Sequence, residues 1–326
     1  MARGARSGIV VALAAVVLSG CASTIVPPSP SATARLSPTA QSTLPPPTPS
    51  PTASTPSGFQ PQALTAISES LFWVLGTSGC TPSQCPSEIL RTLDGGRSFQ
   101  RVPAPPTTFL AGTQSSPDAP AVGDIRFADT SDGWVFGATL WATHDGGAAW
   151  RQITFGNTLF GVDQLEPGAN GYVYAVFELC ANPSIAAGCV DRVMRSRSGA
   201  DTWSVISPPG HPSGRPVIAV HGITVWVMYF AGSTGLEWIS HDDGVLWARG
   251  SMPCEPDLGG NFAPVTTSVI WAFCATGNFG GPSVSSTGGV AWSSAGGIGG
   301  VFSNGAMVAA LSTRHAFVGG VGLVCL

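Results

Sequence analysis

The sequence predicts an all-β fold built from repeated four-stranded units, and three observations carry that expectation. The first is composition: 42 glycines and 28 prolines in 326 residues, with a tenth of the chain charged, make many turns and few helices. The second is a recurring eight-residue motif. It appears as Thr92-Leu93-Asp94-Gly95-Gly96-Arg97-Ser98-Phe99, as Thr143-His144-Asp145-Gly146-Gly147-Ala148-Ala149-Trp150, and as Ser240-His241-Asp242-Asp243-Gly244-Val245-Leu246-Trp247. Two degraded copies run from Ser196 to Trp203 and from Ser285 through Gly289 to Trp292. The third is a second aromatic in a strand-like run ahead of each motif, at Trp73, Trp134, Tyr172, Trp226 and Trp271; Phe317 repeats it with no motif after it.

The motif reads Ser/Thr-x-Asp-x-Gly-x-x-aromatic. Its carboxylate can accept N–H groups of its own turn, its glycine supplies a backbone angle other residues resist, and its ring buries apolar area. These residues resemble the Asp-box, or BNR repeat, of β-propeller proteins, from Phe59 to the C-terminus. The strand that pairs with each box, of the type seen at 132–135, is most similar to the photosystem II stability/assembly factor-like group. The resemblance implies a propeller of six blades of about 45–50 residues with an incomplete last blade. It also implies that Thr92, Asp94, Gly96, Phe99, Thr143, Asp145, Gly147, Trp150, Ser240, Asp242, Gly244 and Trp247 are structural.

In chain order, residues 1–20 read as a signal peptide. Arg3 and Arg6 precede an apolar run over 8–18 that is too short to span a membrane. Leu18-Ser19-Gly20-Cys21 matches the bacterial lipobox, which implies cleavage before Cys21, a lipid on its sulfur, and anchoring to the outer face of the cell membrane. The rival is an ordinary secretory signal. Residues 21–57 are Pro-, Ser- and Thr-rich, an expected disordered tether that reaches about 100 Å at roughly 3 Å per residue. Residues 58–326 form the propeller. In blade two the strands are expected at 122–127, 133–137, 139–143 and 150–154. The apolar stretch 217–232 reads as a buried strand pair of blade four. The last blade matches three strands, and whether its ring closes with three, closes otherwise or is truncated stays open.

Cys80 and Cys85 flank a short loop between the second and third strands of blade one, and Cys180 and Cys189 flank the equivalent loop of blade three. Equivalent placement in two repeats predicts two local disulfides, each contributing about 2–3 kcal/mol. Cys254 and Cys274 are left to pair, and Cys325 is unassigned. Zinc is the weaker rival, since no histidine stands near.

Formal charge is −4, with no lysine, and predicts neither nucleic-acid binding nor attraction to anionic lipid. His144, His211, His221, His241 and His315 show no metal spacing, so no metal or cofactor is expected. His144 and His241 should face solvent. Asp94, Asp145 and Asp242 are expected on separate outer hairpins, where no two can flank one substrate bond. Ser198 and Thr287 replace the carboxylate in the degraded boxes, as suits a turn cap. Trp150, as a wedge between blades, is expected to cost about 3–5 kcal/mol on truncation to Ala.

Asp-boxes also occur in sialidases, whose resemblance would require an early Arg-Ile-Pro motif and a Tyr–Glu nucleophile pair. Arg-Ile-Pro is absent, and Tyr172, Tyr174 and Tyr229 are the only tyrosines. The expectation is a monomeric, non-catalytic propeller that binds a protein or an envelope component; the alternative is a carbohydrate-active one. The candidate face holds Asp124, Arg126, Asp163, Glu166, His211, Arg215, Glu255 and Asp257, and reversing Arg126 or Arg215 is expected to leave the melting temperature almost unchanged while weakening the partner.

Overall fold

Short runs of β-branched and aromatic residues, cut by glycine-rich turns, pair with the next run along the chain. The computed structural model describes residues 56–80, 85–109, 121–156, 158–180, 189–210, 216–231, 234–254, 260–276, 279–296, 307–310, 312–320 and 322–325. Cys21, the tether, His211, Arg215, Glu255 and Asp257 lie outside the described residues.

Six antiparallel meanders result among the described residues. The first is β1 (Gln60–Ala66), β2 (Phe72–Thr77), β3 (Ser87–Thr92) and β4 (Gln100–Val102). The second is β5 (Thr108–Phe109), β6 (Ala121–Phe127), β7 (Gly133–Gly137), β8 (Leu140–Thr143) and β9 (Arg151–Ile153). The third is β10 (Leu159–Pro167), β11 (Tyr172–Cys180), β12 (Cys189–Arg197) and β13 (Ser204–Val205). The fourth is β14 (Pro216–His221), β15 (Thr224–Ala231), β16 (Thr234–Ser240) and β17 (Ala248–Arg249). The fifth is β18 (Gly260–Pro264), β19 (Ile270–Thr276), β20 (Phe279–Ser285) and β21 (Ser293–Ser294). The sixth is β22 (Met307–Ala310), β23 (Ala316–Gly320) and β24 (Gly322–Cys325). The strands of blade two fall within a residue of expectation, and β14–β15 is the buried pair expected at 217–232. The four-strand scheme misses β5, which pairs in parallel with β6 and is tied by Phe109 N–H to the Cys85 carbonyl at 2.8 Å.

The first strands pack one on the next, β1 on β6, β6 on β10, β10 on β14, β14 on β18 and β18 on β22. The core therefore lies between sheets, in successive layers. Trp73, Leu75 and Ile89 meet Ile125 and Phe127; Trp134 and Phe136 meet Val173 and Phe177; Tyr174 and Val176 meet Val225 and Tyr229. A four-stranded meander exposes two apolar faces, and only a neighbouring sheet on each side removes them from water.

Within each layer the second-strand aromatic also makes a polar contact to the next sheet's box. Trp73 Nε1 donates to the Gly146 carbonyl at 3.3 Å and Trp226 Nε1 to the Gly288 carbonyl at 2.8 Å. Trp134 Nε1 reaches Asp201 Oδ1 at 3.4 Å, and Tyr174 Oη donates to Asp243 Oδ1 at 2.9 Å. In the fifth sheet Trp271 Nε1 donates to the Ser312 carbonyl at 3.2 Å. Register makes Tyr174 the blade-three equivalent, because it faces Arg195, the residue before the box serine. Tyr172, two residues earlier on the same face, is corrected to a surface position under the Arg197 guanidinium, 4.0 Å from its ring.

These aromatics, more than the box tryptophans, are the wedges. Trp73, Trp134 and Trp226 are fully buried, whereas Trp150, Trp247 and Trp292 keep part of their surface in water. The cost expected for Trp150 therefore belongs to the inner set. Trp226→Ala is expected to cost about 3–5 kcal/mol in urea unfolding, and Trp292→Ala distinctly less. A larger loss for Trp292→Ala would refute this ranking.

Candidate functional site

Each box is a hairpin folded around one buried hydroxyl. Thr92 Oγ1 accepts Gly96 N–H at 2.9 Å, Thr143 Oγ1 accepts Gly147 N–H at 3.0 Å, Ser240 Oγ accepts Gly244 N–H at 2.8 Å and Ser285 Oγ accepts Gly289 N–H at 2.9 Å. The same hydroxyl donates to the carboxylate, at 2.8 Å for Asp94, Asp145 and Asp242 alike. That carboxylate accepts a second N–H further round the turn, from Ser98, Ala149 and Leu246 at 2.9, 2.9 and 2.8 Å. Thr287 replaces it in the fifth box and accepts Ala291 N–H at 2.9 Å. Glycine is required at Gly244, where φ is 85° and a Cβ would lie 2.6 Å from Ile206 Cδ1. The hairpins then dock on the first turn of their own sheet, as Gly146 N–H does on the Ser131 carbonyl at 2.9 Å.

These carboxylates are occupied by their own turns and stand on separate sheets. Hydrogen bonds from Ser98 and Thr92 pull Asp94 down to about 2, and backbone and hydroxyl donors lower Asp145 and Asp242. Stability from such groups is present above the ordinary carboxylate range and is lost as pH falls through the lowered value. They sit at the solvent edge, so each contributes modestly.

The box tryptophans tie each hairpin to the preceding sheet. Trp150 Nε1 donates to the Pro103 carbonyl at 2.9 Å, Trp247 Nε1 to Ile206 at 3.0 Å and Trp292 Nε1 to Ser251 at 2.6 Å. The third box departs from this pattern. Ser196 Oγ accepts Thr202 N–H at 2.8 Å, and among the described residues neither Ser198 Oγ nor Trp203 Nε1 has a hydrogen-bond partner. Its substitute is Asp201, which no sequence reading singles out. Asp201 holds a left-handed φ of 50° and receives Trp134 Nε1, Arg151 Nη2 at 2.6 Å and His144 Nε2 at 3.0 Å. His144 is thus held by carboxylates where free exposure is expected, while His241 stays exposed and meets only Thr224 Oγ1.

The opposite end of the sheets is closed covalently. Disulfides join Cys80 to Cys85, Cys180 to Cys189 and Cys254 to Cys274. Glu178 lies within 4.8 Å of the second pair, but bonded sulfurs offer no thiolate to a metal.

Near the axis, the structure draws together part of the candidate face. Arg126 Nη1 lies 2.7 Å from Asp124 Oδ1, and Arg126 Nε lies 3.8 Å from Glu166 Oε1 on the next sheet. The side chains keep 27%, 35% and 36% of their surface exposed, which marks an enclosed but wet position. Desolvation raises Asp124 against the pull of Arg126, and raises Glu166 to about 6. Asp163 is not their equivalent, since it is the extra residue of a bulge between Val162 and Gln164. Arg126 thus sits between two acids of neighbouring sheets and keeps part of its own surface in water.

Six meanders stacked through their first strands, with the boxes at one end, settle the architecture. The fold is that of a β-propeller. No protein-family model and no curated protein matches the chain. Among solved structures it is similar to YCF48 bound to D1 peptide, at 16% identity and a TM-score of 0.52, over 80% of this chain and 76% of that one. It is similar to YCF48 from Cyanidioschyzon merolae at 14% identity and a TM-score of 0.48, over 83% and 96% of the two chains. The Hadza microbial sialidase Hz136 follows at 11% identity and a TM-score of 0.47, over 80% and 63%.

One buried acid stands outside every motif. Glu237 on β16 is 1% exposed, with Oε1 unpartnered and Oε2 3.4 Å from Trp292 Nε1. The equivalent residues Ile89, Leu140 and Val193 are apolar. Burial pushes Glu237 up to about 8, opposed by the Trp292 hydrogen bond. A raised acid stabilises the fold below its unfolded value and loses that contribution as pH rises through the folded one. The melting-temperature gain of Glu237→Gln over wild type is therefore expected to widen from pH 5 to about 8 and then level off. A gap that is constant with pH would disprove this.

Proposed function

We propose that this chain is an exported β-propeller, lipid-anchored at Cys21 and acting as a monomer, that binds a segment of a partner protein or an envelope component without catalysis. The observation that carries this reading is the fold likeness to a propeller bound to a peptide. The axial group of Asp124, Arg126 and Glu166 supports it, because partly solvated charges with incomplete partners can exchange solvent for a ligand's polar groups. The box carboxylates are satisfied by their own turns and offer nothing comparable. His211 and Arg215 belong to the same proposed face.

Two measurements test this. Cys21→Ser is expected to move the protein from the detergent phase to the aqueous phase; unchanged partitioning refutes the anchor. Crosslinking mass spectrometry on intact membranes is expected to place partner crosslinks on the channel and the disulfide-closed end. Crosslinks confined to the box hairpins would reject the binding face.

A second reading is favoured by one observation: Glu166, raised to about 6 beside Asp124, resembles the paired acids of glycoside cleavage. It requires turnover of a sialoside or other glycoside panel that Glu166→Gln abolishes. Absence of turnover leaves the binding reading.

A further inference from the structure

We propose that the seam between the second and third sheets is closed by a protonated histidine, His144 clamped between Asp132 and Asp201, and that this clamp tightens the propeller as its surroundings acidify through neutrality. His144 Nδ1 lies 2.8 Å from Asp132 Oδ1, and Nε2 lies 3.0 Å from Asp201 Oδ2. A carboxylate only accepts, so making both bonds at once needs a hydrogen on each ring nitrogen, which is the imidazolium. Geometry alone therefore assigns the charged form.

The two acids belong to different sheets. Asp132 sits in the turn between β6 and β7, with its own N–H held by Asp129 at 2.8 Å. Asp201 sits in the third box, with its side chain 1% exposed. The two hairpins are back to back there, since a Cβ on Gly199 would lie 3.8 Å from Asp132 Oδ2. Arg151 from β9 and the Trp134 indole complete the shell of Asp201. Asp129 and Asp145, the other acids on these hairpins, are taken up by their own turns. The clamp thus balances two carboxylates with one imidazolium and one guanidinium. Loss of the proton leaves a lone pair facing one carboxylate oxygen, and a net negative charge inside the seam.

The sign follows from the same contacts. Burial disfavours the charged ring, but the hydrogen bonds and charges of Asp132 and Asp201 outweigh it and raise His144 above its usual 6.5. The stabilisation is complete below about 6.5 and is lost as pH rises through the higher folded value. His241 occupies the same position of the fourth box with no carboxylate on its ring and serves as the internal control.

The test is a histidine ring titration of the full chain by NMR with assigned resonances, in a Glu237→Gln background so that the buried acid does not contribute. His144 is expected to titrate above the usual 6.5, and the melting temperature to fall from pH 6 to 8 with a slope that His144→Gln flattens and His241→Gln preserves. If His144→Gln does not fold, hydrogen exchange of the unaltered chain at the two pH values, corrected for intrinsic rate, replaces it. The hairpin 196–203 is then expected to lose protection and the hairpin 240–247 to keep it. His144 titrating at or below 6.5, or both hairpins changing alike, overturns the proposal.

Discussion

The hydrogen bond from a buried second-strand aromatic to the next sheet's hairpin is the contact on which this stack of sheets depends. Apolar burial supplies most of the free energy, at about 1.5–3 kcal/mol for a fully buried large side chain, but it is indifferent to register. One N–H or O–H on each ring sets the height at which neighbouring sheets meet, since a buried donor left unmade costs about 1–3 kcal/mol. The box supplies the acceptor in the right place. Its hydroxyl curls the hairpin until the carbonyl or side chain at its fourth or a nearby position faces the preceding sheet. Sequence repeat and ring geometry are therefore one constraint seen twice.

The parts legible from sequence are those that repeat. Spacing between boxes predicts the meanders, and cysteines at equivalent loops predict the local disulfides found at Cys80–Cys85 and Cys180–Cys189. What escapes is whatever a single blade does differently. Tyr172 and Tyr174 are both aromatic and share a strand face, so only pairing with Arg197 or Arg195 separates them. Asp201 hides in a box whose usual acid is missing, although an acid directly before Thr202-Trp203 is the trace it leaves. Glu237 is unreadable because nothing in a strand sequence marks which seam its side chain enters. Bulges in β1, β6 and β10 shift the inner faces by one residue, which separates Asp163 from Asp124 and Glu166.

The acids of this chain show how far environment outranks residue type. Asp94, at the solvent edge with several donors, is held near 2, whereas Glu237, with one distant donor in a dry seam, is pushed to about 8. Asp201 is nearly as buried as Glu237 but receives an imidazole, a guanidinium and an indole. The Asp201 seam supplies its carboxylate with donors, whereas the Glu237 seam raises its acid by burial. Both effects run the same way with pH, because the cation that pairs with Asp201 and the neutral form of Glu237 are each favoured by added protons.

The two ends of the sheets are held by different chemistry. At the box end, hydroxyls and carboxylates satisfy turn N–H groups, so the surface offered to solvent is already internally bonded. At the other end three disulfides, of 5, 9 and 20 residues' separation, cross-link the chain. The axial group of Asp124, Arg126 and Glu166 adds charge whose solvation is incomplete on both sides. A charged group that its own neighbours leave partly solvated is the feature on which the proposed binding role rests.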